Sequence, residues 1–399
     1  MLNISKFIST HVTKRDTSMF AWDIQNNFEE LSHSIKNKTV LVIGGAGTIG
    51  SSYIRALVKF KPKSLVVVDI NENGLTELTR DLRSTEELFV PEEYITYPMN
   101  YADPVFYKMF KERKGFDIVA NFSAHKHVRS EKDRFSVEAL INNNIINAKA
   151  LLDILEQYPP QRFFCVSTDK AANPVNIMGG SKKIMEDMIM TFSQKYPVTT
   201  ARFANVAFSN GSLPAGFLER ISKGQPISAP KDVTRYFVSP EESGQICLLA
   251  CILGKSGEIY FPKLKKEQVM TFSDMANKLL NEHGFKVNEC NSEQEAIQKS
   301  KEITVHYPVY YSDSNTTGEK PYEEFYTAGE EVELDRYKAL GVVTNLIPRP
   351  MSEINLLLKL LKQAFEDTST TKADIVKIMK DFLINFDHKE VGKSLDSKM

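Results

Sequence analysis

Cysteine is scarce in this 399-residue chain: Cys165, Cys247, Cys251 and Cys290 are all there is, with no CxxC pair among them. Four in a chain this long exclude a disulfide framework and are expected to be reduced and buried. A surplus of one charge is also missing, since 50 basic side chains meet 51 acidic ones and leave a net charge of -1. No general affinity for nucleic acid or anionic lipid follows from such a balance. Long apolar runs are lacking too. The longest, 246–253, falls far short of the ~20 residues of a spanning helix, and the N-terminus carries no basic-then-apolar signal. A cytoplasmic protein with neither a membrane nor a nucleic-acid partner is therefore expected. No repeat of fixed period and no low-complexity tract occurs, which excludes solenoids and propellers. Of seven histidines only His125 and His127 lie close together. Their i, i+2 spacing is a weak metal signal, so a structural or substrate-contact role is favoured and no metal site is expected.

What is present is an ordinary globular composition, 42% hydrophobic and 25% charged, over roughly two to three domain lengths. From residue 38 to about 203, short β-branched runs alternate with amphipathic segments. The runs are Thr39-Val-Leu-Val-Ile43, Leu65-Val-Val-Val-Asp69, Asp117-Ile-Val-Ala-Asn121 and Arg162-Phe-Phe-Cys-Val-Ser167, with a weaker one at 198–203. Continuous apolar runs separated by helices predict a parallel sheet covered on both faces. Apolar residues over 136–157 recur at 3.6-residue spacing, predicting one amphipathic helix with Asn144 in its core stripe. An unpaired amide there would be costly, so Asn144 is expected to hydrogen-bond to a neighbouring element. The expected fold is α/β, a Rossmann-like doubly wound parallel sheet with a smaller mixed substrate-binding lobe. The expected organisation is an N-terminal extension over 1–36, an NAD-binding domain over 37–205, a mainly nucleotide-sugar-binding lobe over 206–350, and a C-terminal helical extension and tail over 351–399.

Directly after the first run stands Gly44-Gly-Ala-Gly47-Thr48-Ile49-Gly50, with a helix expected over 51–60. Glycines three apart permit a tight turn, close approach of backbone to a pyrophosphate and close contact of helix with strand, while the helix N-terminus offers N–H groups. The next run ends in Asp69, nineteen residues after Gly50, at the place of an acid that accepts from a ribose 2′-hydroxyl. A carboxylate there repels a 2′-phosphate, which favours NAD over NADP. Asn100 and Tyr101 after the third strand, and Phe122 with Ser123 after the fourth, fall at strand ends where a dinucleotide lies.

At the end of the fifth strand comes Ser167-Thr168-Asp169-Lys170, then Met178-Gly-Gly-Ser-Lys182 entering a helix. Two lysines and an aspartate are expected to converge beside the nicotinamide. Here the chain resembles the extended short-chain dehydrogenase/reductases, and within them the nucleotide-sugar 4,6-dehydratases related to polysaccharide-biosynthesis proteins. The resemblance spans about 38–345. It rests on Gly44 to Gly50, Ala124-His-Lys-His-Val128, Ser167-Thr-Asp-Lys-Ala-Ala-Asn-Pro174, Arg202-Phe-Ala-Asn-Val206, Asn210-Gly-Ser212, Thr234-Arg-Tyr-Phe237 and Thr317-Gly-Glu-Lys-Pro-Tyr-Glu-Glu324. The likeness is strongest to the UDP-N-acetylglucosamine 4,6-dehydratases, many of which carry an N-terminal membrane region. The resemblance thus implies a soluble version, with a homodimer as the minimum assembly and a UDP-N-acetylhexosamine as substrate.

The superfamily's Tyr-x-x-x-Lys has become Met178-x-x-x-Lys182, and methionine cannot exchange a proton. Either the site has decayed, or the chain resembles the branch with methionine here, whose members retain configuration at C5. Persistence of Thr168, Asp169 and Lys170 favours the second. The resemblance implies Asp169 as general acid at O6, Lys170 as base at C5, Thr168 as a hydrogen-bond partner of the 4-hydroxyl and Lys182 as a ligand of the nicotinamide ribose. It also implies Lys126, Asn205 and Ser212 around the sugar or diphosphate and Glu319 on the uridine or sugar side. Arg235 is the expected diphosphate contact, because a planar guanidinium engages phosphate oxygens bidentately. Rival readings are a nucleotide-sugar 4-epimerase or 4-reductase, both of which normally need the tyrosine, and a non-catalytic NAD- or nucleotide-sugar-binding regulator.

Overall fold

The continuous apolar runs become strands buried on both faces: every residue of 40–43 and 65–68 is at most 1% exposed. The computed structural model describes residues 2–314, 324–388 and 390. Six strands fill the first half, β1 (Thr39–Ile43), β2 (Ser64–Asp69), β3 (Glu93–Pro98), β4 (Ile118–Asn121), β5 (Arg162–Val166) and β6 (Val198–Ala201). Later come β7 (Asn205–Val206), β8 (Ile227–Pro230), β9 (Thr234–Val238), β10 (Glu258–Pro262), β11 (Val269–Thr271), β12 (Lys286–Cys290), β13 (His306–Ser312), β14 (Glu331–Glu333) and β15 (Leu340–Thr344).

The large sheet has the order β14-β15-β10-β6-β5-β4-β1-β2-β3. Its first six strands pair in parallel throughout. The chain winds outward from β1 to β3, then restarts on the other side with β4, so a crevice opens at the carboxyl ends of β1 and β4. Two three-stranded sheets, β11-β9-β7 and β12-β13-β8, build the smaller lobe. Residues 206–350 do not form that lobe alone. β10 pairs in parallel with β6, and β15 and β14 add antiparallel beyond it, so this stretch also completes the large sheet.

The helices that matter for the site are α1 (Thr48–Val58), α2 (Arg134–Ile141), α3 (Asn147–Gln157), α4 (Ile177–Phe192), α5 (Leu213–Ser222), α6 (Pro240–Leu253), α7 (Met351–Glu366) and α8 (Lys372–Phe382). The helix after the glycine turn starts at Thr48, three residues earlier than expected, because extended Gly47 is its N-cap. The single helix expected over 136–157 is divided by a π-type turn, Asn142–Ile146. That wider turn lets Asn144 bond both backbone groups of His125, each at 2.9 Å, and the hydroxyl of Ser181 at 3.0 Å. The core amide is thus fully engaged, as its cost of burial demands.

The apolar run 246–253 lies in α6, where every residue from Ile246 to Ile252 is fully buried. A Ser239–Glu242 capping box starts this helix, which is apolar all round because it is enclosed by protein. All four cysteines are free and buried. Both extensions join cores: from the N-terminal one Phe20, Leu31 and Ile35 enter the large core and Phe7, Ile8 and Val12 that of the smaller lobe, and from the C-terminal one Ile354, Leu361, Ile375 and Met379 enter the large core. Among the described residues no helix is long and apolar enough to cross a membrane.

Candidate active site

One cleft at the β1/β4 crevice is lined by Gly44, Gly47, Thr48, Ile49, Gly50, Asp69, Asn100, Tyr101 and Ser123, together with His125 and Lys126. Local sterics explain two of the glycines. Gly44 has φ +74°, and a Cβ there would sit 2.6 Å from the Ser123 nitrogen. A Cβ on Gly50 would meet the Gly44 carbonyl at 2.3 Å, so these two allow the turn and the helix to close up. Gly47 differs. A Cβ there would find only the Gly44 carbonyl, at 3.5 Å, so the space it would fill belongs to the cleft. That is the fit expected if a phosphate group lies against the backbone.

Asp69 accepts from the Ala46 amide through one oxygen and from the Asn71 amide through the other, both at 2.9 Å. Each oxygen keeps a further lone pair for a ribose hydroxyl. Asn100 closes its own loop by accepting from the Ala102 amide at 2.9 Å. Tyr101 is buried, its hydroxyl donating to the Asn143 carbonyl at 2.8 Å, so its contribution to the cleft is its ring.

At the end of β5 a single 3₁₀ turn, Asp169–Ala171, presents the next group. Asp169 is 2% exposed. One of its oxygens accepts from the Thr168 hydroxyl at 2.9 Å and from the Lys170 ammonium at 3.0 Å. Met178 is buried in the first turn of α4, and its amide donates to Glu131 at 2.8 Å. Lys182, one turn further on, points inward. Its amine donates to the Val166 carbonyl at 2.8 Å and lies 3.6 Å from the Met185 sulfur, while burial pushes its pKa down. Lys170 and Asp169 are thus brought together as a pair, and neither of them nor Lys182 is among the residues lining that cleft.

A second pocket adjoins the first at Lys126 and is lined also by His127, Arg129, Asn205 and Ser212. Ser212 caps α5, so basic side chains and a helix N-terminus face one space, a setting suited to phosphate. The residue Asn210 ties the two pockets: its amide donates to the Thr48 hydroxyl and its carbonyl accepts from Lys126, both at 2.9 Å. Arg235 is 9% exposed and donates to the Thr234 carbonyl at 2.8 Å; it is not among the residues lining that pocket. Glu319 lies outside the described residues. Among the described residues no group of three or more His, Cys, Asp or Glu side chains is placed to hold a metal ion.

A family model for polysaccharide biosynthesis proteins matches residues 40–344. The chain belongs to that family. Among its relatives, an uncharacterized membrane protein of Methanocaldococcus jannaschii is 32% identical over 267 residues, 65% of this chain and 77% of that protein. The polysaccharide biosynthesis family also supplies the capsular polysaccharide biosynthesis protein CapD of Staphylococcus aureus, 28% identical over 74% of this chain. This chain spans only about half, 49%, of CapD's own length. In three dimensions the chain is similar to a DesIV double mutant, a dTDP-glucose 4,6-dehydratase of Streptomyces venezuelae solved with NAD and DAU bound. The TM-score is 0.54 at 18% identity, over 72% of this chain and 87% of that one. The shared architecture is the Rossmann-like α/β fold with its large parallel sheet.

In this family member the residues behind the turn at 168–170 carry no local signal in the sequence. Arg202 is fully buried and reaches Glu186 through two nitrogens, at 2.9 and 2.7 Å, and Glu330 through two contacts at 2.8 Å. Burial opposes its charge, but the two carboxylates outweigh that and raise its pKa. Glu186 also accepts from the Ser167 hydroxyl at 2.6 Å, tying the end of β5 to α4. Glu131 is the other such residue. One oxygen holds the Met178 amide and the second is buried with no partner among the described residues. Burial pushes its carboxyl up to about 7. Only the order of types in Arg202-Phe-Ala-Asn-Val206 hinted at Arg202; nothing in the sequence pointed to Glu131, Glu186 or Glu330.

Proposed function

We propose that this chain is an NAD-dependent 4,6-dehydratase of UDP-N-acetylglucosamine, yielding a UDP-4-keto-6-deoxy-N-acetylhexosamine. The observation that carries the reading is the 3.0 Å contact between Lys170 and Asp169 at the carboxyl edge of the sheet, beside a helix whose tyrosine position holds Met178. A hexose does not lose water between C5 and C6 readily, because its C5 hydrogen is not acidic; a ketone at C4 makes it so. The glycine turn 44–50 and Asp69 would hold NAD, which would supply a reversible hydride acceptor for C4 oxidation and C6 reduction and so would not be consumed.

The chain's own residues handle the protons. An ionised pair is neither acid nor base, but it holds one proton. Passing that proton from the Lys170 amine to Asp169 along their hydrogen bond creates both roles at once. Neutral Lys170 then takes the C5 proton while Asp169 gives its proton to O6, which leaves as water, and the ionised pair is restored. Thr168 can accept from the 4-hydroxyl, whose proton leaves to solvent on oxidation; C5 regains a solvent-exchanged proton when the hydride returns. Methionine at 178 suits this division of labour, since no step asks that position for a proton. Beyond its bond to the Val166 carbonyl the Lys182 amine keeps further N–H donors, and in this reading one of them serves the nicotinamide ribose. In this reading Lys126, Asn205 and Ser212 lie around the sugar or diphosphate, Arg235 engages the diphosphate and Glu319 serves the uridine or sugar side. The adenosine ribose sits on Asp69. The same reading has the enzyme act in the cytoplasm as a homodimer or larger homo-oligomer.

The test is purified protein with UDP-N-acetylglucosamine in deuterated buffer, followed by mass spectrometry and NMR. Loss of one water with deuterium at C5 is the expected result, and the coupling pattern reads retention against inversion. The second reading, a non-catalytic binder, is favoured by the inward turn of Lys182. NAD and a panel of nucleotide sugars bound but unchanged would establish it.

A further inference from the structure

We infer that the segment following α8 is a clasp that positions the reacting turn, acting through the two glycines that open α4. The inference rests on the reading of 168–170 as that turn. Residues 172–176 connect it to α4, and two of their carbonyls are held from outside. Pro174 accepts from the Asp387 amide at 3.2 Å, and the Val175 carbonyl lies 3.4 Å from Nδ1 of His388. A carbonyl can only accept, so Nδ1 carries the proton. His388 is 7% exposed and stacks on Phe386 with ring centroids 5.8 Å apart, which leaves it little freedom to turn away.

Phe386 in turn lies on α4. A Cβ built on Gly180 would sit 3.2 Å from the Phe386 ring and 2.9 Å from the Met379 methyl. One residue earlier, a Cβ on Gly179 would sit 2.6 Å from the Lys170 carbonyl. The first turn of α4 is therefore sandwiched between the C-terminal segment and the backbone of Lys170. A second anchor joins the same place: the Lys372 amine of α8 donates to the Glu131 carbonyl at 2.7 Å, and the Glu131 carboxylate holds the Met178 amide at 2.8 Å. Contact thus runs unbroken from His388 and Phe386 to the residue that carries the amine. His388 and Phe386 touch none of the reacting groups, so they are positioning residues. Their effect is to fix where Lys170 and Asp169 stand relative to a bound sugar.

The experiment uses full-length protein carrying Phe386→Ala, His388→Ala or His388→Asn, with Leu155→Ala as a destabilised control. Leu155 is fully buried near the C-terminus of α3, at the opposite end of the sheet. Amide hydrogen exchange over 172–180, read without substrate, is expected to quicken about tenfold in the two alanine variants and to stay unchanged in Leu155→Ala. With UDP-N-acetylglucosamine, kcat is expected to fall about tenfold or more while KM and NAD affinity move less than about twofold. His388→Asn, which keeps an N–H near the Nδ1 position, is expected to restore most of both. Unchanged exchange in the alanine variants, an equal rise in Leu155→Ala, or quickened exchange with kcat within about twofold would each overturn the clasp. Should the unsubstituted protein turn over no nucleotide sugar, the dehydratase reading falls and exchange alone decides the clasp.

Discussion

The two halves of the crevice are built on different principles. The glycine-rich side is backbone brought close by glycine, with most of its lining drawn from short stretches after β1, β2, β3 and β4. The other side is a three-residue turn, Asp169–Ala171, held from behind by groups scattered along the chain. Glu131, Glu186, Arg202, Glu330 and Phe386 come from five separate segments. The first is a shape that short spacing can encode, and the second is a charge and packing arrangement that exists only once the chain is folded. Damage should therefore be local in one half and propagated in the other.

The largest separation of effects belongs to the turn itself. Asp169→Asn and Lys170→Ala are each expected to cut dehydration by ~10²–10⁴-fold while NAD affinity, followed by fluorescence titration, stays as it was. Substantial retained turnover in either would remove that residue from its role. Next comes Arg202→Met, which strands the buried carboxylate of Glu186 and the half-buried one of Glu330. A loss of about 3–5 kcal/mol in denaturant-monitored stability is expected, and a change under about 1 kcal/mol would mean that water reaches the network.

A third prediction concerns pH. The Glu131 carboxyl is raised from an ordinary 4.5 to about 7 by burial. Between those values the folded chain holds a proton that the unfolded chain releases, so this group's contribution to stability is present below 4.5 and is lost as pH rises through 7. The integrated loss is roughly 3 kcal/mol. Glu131→Gln cannot ionise, so it should flatten that slope and melt higher than the parent at pH 8; an unchanged pH profile would refute the buried carboxyl. The smallest and most local effect separates two glycines of one turn. Gly47→Ala is expected to leave stability within about 1 kcal/mol while weakening NAD binding about tenfold. Gly44→Ala, with its positive φ and 2.6 Å contact, should cost about 1–3 kcal/mol of stability itself. Equal behaviour of the two would dissolve the distinction between a turn glycine and a ligand-facing one.

Legibility in the sequence followed the same divide. Strands β1, β2, β4 and β5, the glycine turn, Asp69 and the turn at 168–170 were readable because each is signalled by a few adjacent residues. Asn144 could be assigned a structural bond from its place in an apolar stripe, but not the π-type turn that lets it reach His125. A wider turn of helix leaves the periodicity almost untouched. Burial of Glu186 against Arg202 was unreadable for another reason: sixteen residues separate them, and a charged residue in a helix looks solvent-facing until its partner is placed. The inward turn of Lys182 is of the same kind, set by the Val166 carbonyl.

The arrival of β10 between β6 and β15 has a consequence for how the protein is made. During synthesis β6 is complete well before residues 258–262 exist, so for some sixty residues of elongation it is an open edge with unpaired backbone groups. Such edges recruit other strands. A fragment ending near residue 205 would keep the glycine-rich cleft yet carry that edge permanently. That half is therefore expected to aggregate when cut free, and to become a well-behaved particle only when the later part of the chain has come back to seal it.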